Sequence, residues 1–124
     1  MELFNFIFFS KTGLNGSEIW LAIMGEVYDV SDGTEFYGSG EGYSFFAGRD
    51  ASVAFVTGQF NEEGLKKSLE ELEVNELRGV ESWRVFYNKH EKYKFKGYLI
   101  GDLYDSHGNP TPLFSRLKEK LKTS

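Results

Sequence analysis

The 124-residue chain contains no cysteine. That excludes a disulfide framework, a thiolate metal site and a cysteine nucleophile. Histidine is nearly as scarce, with only His90 and His107, both in polar stretches, so a histidine-rich metal cluster is excluded as well. Base is in deficit: 14 Lys and Arg against 19 Asp and Glu leave a formal charge of -5. A polyanionic backbone would be repelled, and no basic stripe with interleaved aromatics offsets this, so nucleic acid is not an expected partner. Long apolar runs are also missing. The opening "MELFNFIFF" has no basic region before it, is broken by Asn5 and falls far short of the ~20 residues a membrane helix needs. It is expected to be a strand, with no signal peptide or membrane span within the chain.

What is abundant is aromatic: 17% of residues, with 12 Phe and 7 Tyr against 2 Met, so flat rings should build much of the interior. The length suits one domain over residues 1–124, with a C-terminal extension from about residue 98. "WLAIMGEVYDV" (Trp20 to Val30) combines strand formers with Met24-Gly25 as a tight turn, a hairpin pattern. Ser31 to Gly42 loses periodicity and gains turn formers, and is expected to be a loop. Asp50 is placed to cap a short helix, "ASVAFVTG", that turns Val53, Phe55 and Val56 inward and stops at Gly58. Asn61 would cap a second helix carrying Leu65, Leu69 and Leu72. A third, "VNELRGVESWRVFYNKH", presents Val74, Leu77, Val80, Trp83 and Phe86 as one broad apolar face, weakened a little by Gly79. "KYKFKGYLIG" alternates as a strand, and after a turn-rich "DSHGNPTP" the chain ends in a short, partly frayed amphipathic helix. This order is α+β: a small mixed sheet with several short helices.

Glycines 38, 40 and 42 invite a phosphate-cradle reading, but Tyr43-Ser44 stands where a Walker loop needs Lys and Ser/Thr, and neither a preceding parallel strand nor a long following helix is expected. Asp29, Asp32, Glu35 and Glu41 lack the alternation of a helix-loop-helix calcium site and read as a solvated acidic loop. Asn15-Gly16-Ser17 forms a glycosylation sequon, relevant only to a secreted chain. Tyr37 and Tyr43 remain, two phenols among the glycines. A phenolate is a competent axial ligand for ferric haem, because the hard cationic iron favours the anion despite a free phenol pKa of about 10. Composition alone leaves packing or hydrogen-bonding roles open for both.

"LAIMGEVYDVS" followed by "FYGSGEGYSFFAGRDASVAFVTG" resembles the haem-binding domain of the membrane-associated progesterone receptor family, a branch of the cytochrome b5-like fold. The resemblance runs from about Phe9 to Gly97. "GYLIGDLYDSHGNPTP" beyond it is similar to the extension of one subgroup. The His-Pro-Gly-Gly loop of two-histidine cytochromes b5 is replaced here by "FYGSGEGY". The resemblance implies that Tyr43 is the axial ligand of ferric haem b, with Tyr37 as an orienting phenol beside it. Lys92 and Tyr93 correspond to the family's Lys-Tyr pair at the pocket. The segment from Trp83 to Tyr93 is slightly longer than the family pattern, so Lys89 or Lys94 can take the place of Lys92. "AGRDAS" is expected to be structural, with Asp50 capping and Arg49 anchoring the loop.

A cytochrome b5-like fold framing a haem pocket is thus expected, serving a non-catalytic haem-binding protein. The resemblance implies haem sensing or delivery, support of a cytochrome P450, or signalling in the secretory pathway, outside the cell or at endomembranes. The alternative is a module that binds a steroid or other lipid, or a receptor, without obligatory haem. Haem-dependent pairing of two copies is also expected, because stacking an exposed haem face on a second copy removes a large flat surface from water. An electron-transfer cytochrome is the third reading, and phenolate ligation, which stabilises ferric iron, argues against it.

Overall fold

The hairpin forms as its turn residues dictate. β2 (Trp20–Ile23) and β3 (Glu26–Asp29) pair antiparallel with Ile23 opposite Glu26, leaving Met24 and Gly25 as a two-residue turn at φ 49° and 78°. Those angles are of the primed type that matches strand twist, easy for glycine and costly for methionine. The computed structural model describes residues 2–4, 18–33, 37, 48, 50, 52–59, 61 and 68–122. Within them β4 (Lys94–Leu99) lies antiparallel to β3 and parallel to β1 (Glu2–Phe4), giving a mixed sheet of order β1-β4-β3-β2. The α+β class read from the sequence is the observed one. The hairpin buries both faces: Leu21, Ile23 and Tyr28 join the main core, while Trp20, Ala22 and Val27 form a smaller cluster with Leu99.

Asp50 does not cap the following helix. α1 (Ala54–Thr57) begins after Val53, with no side-chain cap, and ends as expected at Gly58, whose φ of 73° lets its N–H close on the Ala54 carbonyl. The Asp50 carboxylate is taken by the hairpin turn instead. It accepts from the Gly25 N–H at 3.2 Å and from the Ser52 hydroxyl at 2.5 Å, while Ser52 Oγ accepts from the Met24 N–H at 2.8 Å. Burial pushes the Asp50 carboxyl above its ordinary value, and the bonds from Ser52 and Gly25 act against that. A carboxyl whose folded pKa lies above its unfolded one costs stability as pH rises through that interval, so this group favours the folded chain on the acid side. Ser52→Ala should strand the buried Met24 N–H and cost about 1–3 kcal/mol. A melting temperature unchanged from the parent would contradict this role.

α2 (Val74–Lys89) starts with a capping box between Glu73 and Glu76 and buries Leu77, Val80 and Tyr87. Trp83 and Phe86, expected on that inward face, are instead 39% and 45% exposed. Gly79 has a packing reason: a Cβ there would lie 2.7 Å from Val56 Cγ1 of α1. Arg84 ties the helix to the sheet, reaching Glu26 at 3.3 Å and Glu81 at 2.6 Å. Residues 62–67 of the expected second helix lie outside the described residues. Leu69–Glu71 form a single 3-10 turn, capped by Ser68 accepting from the Glu70 N–H.

The C-terminal segment is built into the core. Leu103, Tyr104, Phe114 and Leu117 belong to the main buried cluster. The Tyr104 ring packs 4.2 Å from that of Tyr98 and edge-on to Phe114, and covers Gly25, where a Cβ would come within 2.8 Å of it. Asp105 holds the turn by accepting from the His107 and Asn109 N–H groups, and the Phe114 N–H donates to Thr111 Oγ1 at the head of α3 (Pro112–Lys122). Arg116 then pairs with Glu70 at 2.7 Å, and Lys120 donates to the Leu72 carbonyl. The expected frayed tail is an eleven-residue helix docked on the rest.

Candidate ligand site

Tyr37 reaches the core although glycines follow it. It is 6% exposed, and its hydroxyl forms a 2.6 Å hydrogen bond with the hydroxyl of Tyr87, fifty positions along the chain. Tyr87 projects from the inward face of α2 and stacks on Tyr28 of β3 with ring centroids 5.8 Å apart. Tyr28 has its own partners, donating to Glu26 at 2.6 Å and accepting from Asn88 at 3.3 Å. Burial first, and then the bond to Glu26, drive its phenol well above the ordinary value, so Tyr28 stays neutral.

Tyr93 completes the group. Its ring stands edge-on to Tyr37 at 6.1 Å and tilted against Tyr87 at 5.8 Å. On another side it lies flat on His90, with centroids 4.0 Å apart and planes 15° apart. His90 ends α2 and turns the chain, because its Nδ1 accepts from the Lys92 N–H at 3.2 Å. This places the Nε2 proton as the donor of the neutral ring. Between Trp83 and Tyr93 the chain thus runs through the last turn of α2 and this imidazole-closed bend. Lys92 is exposed on the bend, Lys89 and Lys94 are exposed on either side of it, and Lys94 lies opposite Asp29 in the sheet.

The phenol of Tyr93 points at Gly33, where a Cβ would sit 2.8 Å from its oxygen and 3.2 Å from the Tyr37 ring. Gly33 thus admits two tyrosines that any other residue would displace. Gly33→Ala should cost about 1–3 kcal/mol by overpacking. The same change should weaken ligand binding, measured by titration, because Tyr93 must retreat. Full retention of both stability and binding would contradict the cradle.

Of the four residues expected at the site, Tyr37 and Tyr93 come together and Lys92 lies on the adjoining bend. Tyr43 lies outside the described residues, as does Arg49. Two contributors went unread in the sequence. Tyr87 stands seven positions after Val80, on the same helical face, which was signal enough. His90, noted in the sequence only as a histidine in a polar stretch, is half-buried on the Tyr93 ring. Among the described residues no group of His, Cys, Asp or Glu is arranged to hold a metal ion, and no helix is long and apolar enough to cross a membrane.

A small mixed sheet, an aromatic helix packed on it and buried phenols between them define a cytochrome b5-like domain. A hypothetical protein from Arabidopsis thaliana, described as having a cytochrome b5 like fold, matches with a TM-score of 0.69 at 36% identity, over 82% of this chain and 93% of that one. The chain belongs to the cytochrome b5-like haem/steroid-binding family, whose model, "Cytochrome b5-like Heme/Steroid binding domain", matches residues 9–104. It is 44% identical over 106 residues to a neuferricin homolog from Drosophila pseudoobscura pseudoobscura, across 84% of this chain and 36% of the relative. It is 50% identical over 93 residues to membrane-associated progesterone-binding protein 4 from Arabidopsis thaliana, across 75% of this chain and 37% of that protein. The chain thus spans little more than a third of these relatives.

Proposed function

We propose that the chain is a non-catalytic haem-binding domain in which Tyr43 supplies the axial phenolate to ferric haem b. Tyr37 orients that oxygen by a hydrogen bond, Tyr93 hydrogen-bonds at the pocket edge, and Lys92 pairs with a propionate. One observation carries the reading: Tyr37, six positions before Tyr43, is buried at 6% exposure and hydrogen-bonded to Tyr87 beside Tyr93. The donor chemistry fits. Phenols stand among the site's described polar groups, flat rings wall it, and with no cysteine in the chain the haem would be held without thioether bonds. When bound, ferric iron supplies a hard cationic centre that favours phenolate over phenol. Tyr37 and Tyr93 bring neutral hydroxyls to that anion, and their rings exclude water from it. Such a ligand set suits sensing or delivering haem, or supporting a cytochrome P450, better than shuttling electrons.

A steroid or other lipid ligand is the second reading. It is favoured by the progesterone-binding relative and by neutral hydroxyls set among aromatic rings. Separate titrations with hemin and with progesterone distinguish the two. The haem reading expects one equivalent of hemin to give a high-spin ferric Soret band with a phenolate charge-transfer band. Saturable progesterone binding without any hemin spectrum would replace it with the steroid reading. Sedimentation of the same samples, with and without hemin, tests pairing of two copies, and an unchanged mass would remove the dimer.

A further inference from the structure

We propose that Tyr87 is a positioning residue of this site: its hydroxyl fixes the proton of Tyr37, so that the two phenols act on a bound ligand as one hydrogen-bonding unit. The inference rests on the haem-binding reading. Its starting point is the buried 2.6 Å contact between the hydroxyls of two tyrosines that are 6% and 1% exposed. That is at the short end for O–H···O bonds, and both groups are out of bulk water. One proton lies between the two oxygens. If Tyr87 donates it, the Tyr37 proton points at another acceptor; if Tyr37 donates it, Tyr37 presents only lone pairs. A phenolate beside Tyr37 selects the first arrangement, and the chain Tyr87 to Tyr37 to phenolate then strengthens along its length, as linked hydrogen bonds do in a low-dielectric interior.

Packing accounts for the ring at position 87 but not for its hydroxyl. The ring is surrounded by other rings: Tyr28 at 5.8 Å, Phe55 at 5.9 Å, Phe86 at 5.2 Å and Tyr93 at 5.8 Å. Phenylalanine would satisfy all of these contacts. Tyr28, its stacking partner, spends its hydroxyl on Glu26 and Asn88, so the oxygen of Tyr87 is the one aimed at Tyr37. It is carried on a sixteen-residue helix with a capping box at its start, which makes it a rigid support for a residue in a glycine-rich stretch.

The test uses the full chain loaded with hemin and compares Tyr87→Phe, Tyr37→Phe and the double variant. The readouts are the energy of the phenolate-to-iron charge-transfer band and the hemin affinity, with thermal melts of each hemin-free protein alongside. Tyr87→Phe should move the band in the same direction as Tyr37→Phe and weaken hemin about 10-fold, as loss of an outer hydrogen-bond partner does. The double variant should move the band no further than Tyr37→Phe alone. A Tyr87→Phe protein that melts lower but keeps the parent band and affinity overturns the proposal, as do additive band shifts in the double variant. If Tyr87→Phe does not fold, 3-fluorotyrosine at position 87 keeps ring and hydroxyl and donates more strongly. It should shift the band the opposite way, and an unmoved band would overturn the proposal. Absence of any hemin complex in the parent chain removes the haem reading and this proposal together, whereas a normal parent complex indifferent to position 87 removes this proposal alone.

Discussion

Tyr43→Phe is expected to erase the phenolate charge-transfer band of the hemin complex and to lower hemin affinity by more than the roughly 10–100-fold typical of outer-shell losses. The reason is chemical: phenylalanine keeps an aromatic ring and deletes the phenolic oxygen that can bond iron. A melt of the hemin-free variant, run alongside, separates loss of the ligand from loss of the fold. Lys92→Ala gives the contrast. Lys92 is exposed, and a solvent-screened ion pair is worth only about 0–1 kcal/mol, so its loss should weaken hemin by a few-fold and leave the band in place. Equal effects from the two substitutions would mean that charge, not phenolate ligation, holds the cofactor.

Ending the chain at Gly101 is expected to abolish cooperative folding. The cut removes Leu103, Tyr104, Phe114 and Leu117, which are 3%, 7%, 8% and 1% exposed. At about 1.5–3 kcal/mol for each buried apolar side chain, these account for roughly 6–12 kcal/mol, comparable with the whole stability of a small domain, about 5–15 kcal/mol. The loss also uncovers the hairpin turn at Gly25, which Tyr104 covers, and removes the Arg116–Glu70 and Lys120–Leu72 ties. Phe114→Ala in the full chain is the milder form and should cost about 3–5 kcal/mol. A shortened chain with a sharp thermal transition would show that α3 is an accessory and not part of the core.

Local chemistry was legible in the sequence and tertiary capture was not. The hairpin could be read because Met24-Gly25 sits between strand-forming residues, and α1 could be stopped at Gly58 because a left-handed C-cap favours glycine. Asp50 was misread as a cap because the groups that claim its carboxylate, Gly25 and Ser52, are identified only once the hairpin is folded against it. The apolar face of α2 was misplaced for a geometric reason. Side chains three residues apart fall about 60° short of a full turn, so a run from Val74 to Phe86 drifts to the far side of the helix. Leu77, Val80 and Tyr87 keep the inward face while Trp83 and Phe86 turn out.

The site shows the same division. Tyr37, Lys92 and Tyr93 came from the family resemblance, and their proximity depends on Gly33 and on the bend closed by His90, neither of which announces itself in the sequence. Tyr87 was within reach of helical periodicity, but its partner was not, because fifty residues separate the two hydroxyls.

The central claim, that Tyr43 is the axial phenolate, is tested most directly by resonance Raman spectroscopy of the hemin complex excited in its charge-transfer band. The account predicts enhanced iron–phenolate and tyrosine ring modes in the parent chain and in Lys92→Ala, and their disappearance in Tyr43→Phe. The same tyrosine modes persisting in Tyr43→Phe, or none in the parent despite bound hemin, would contradict it.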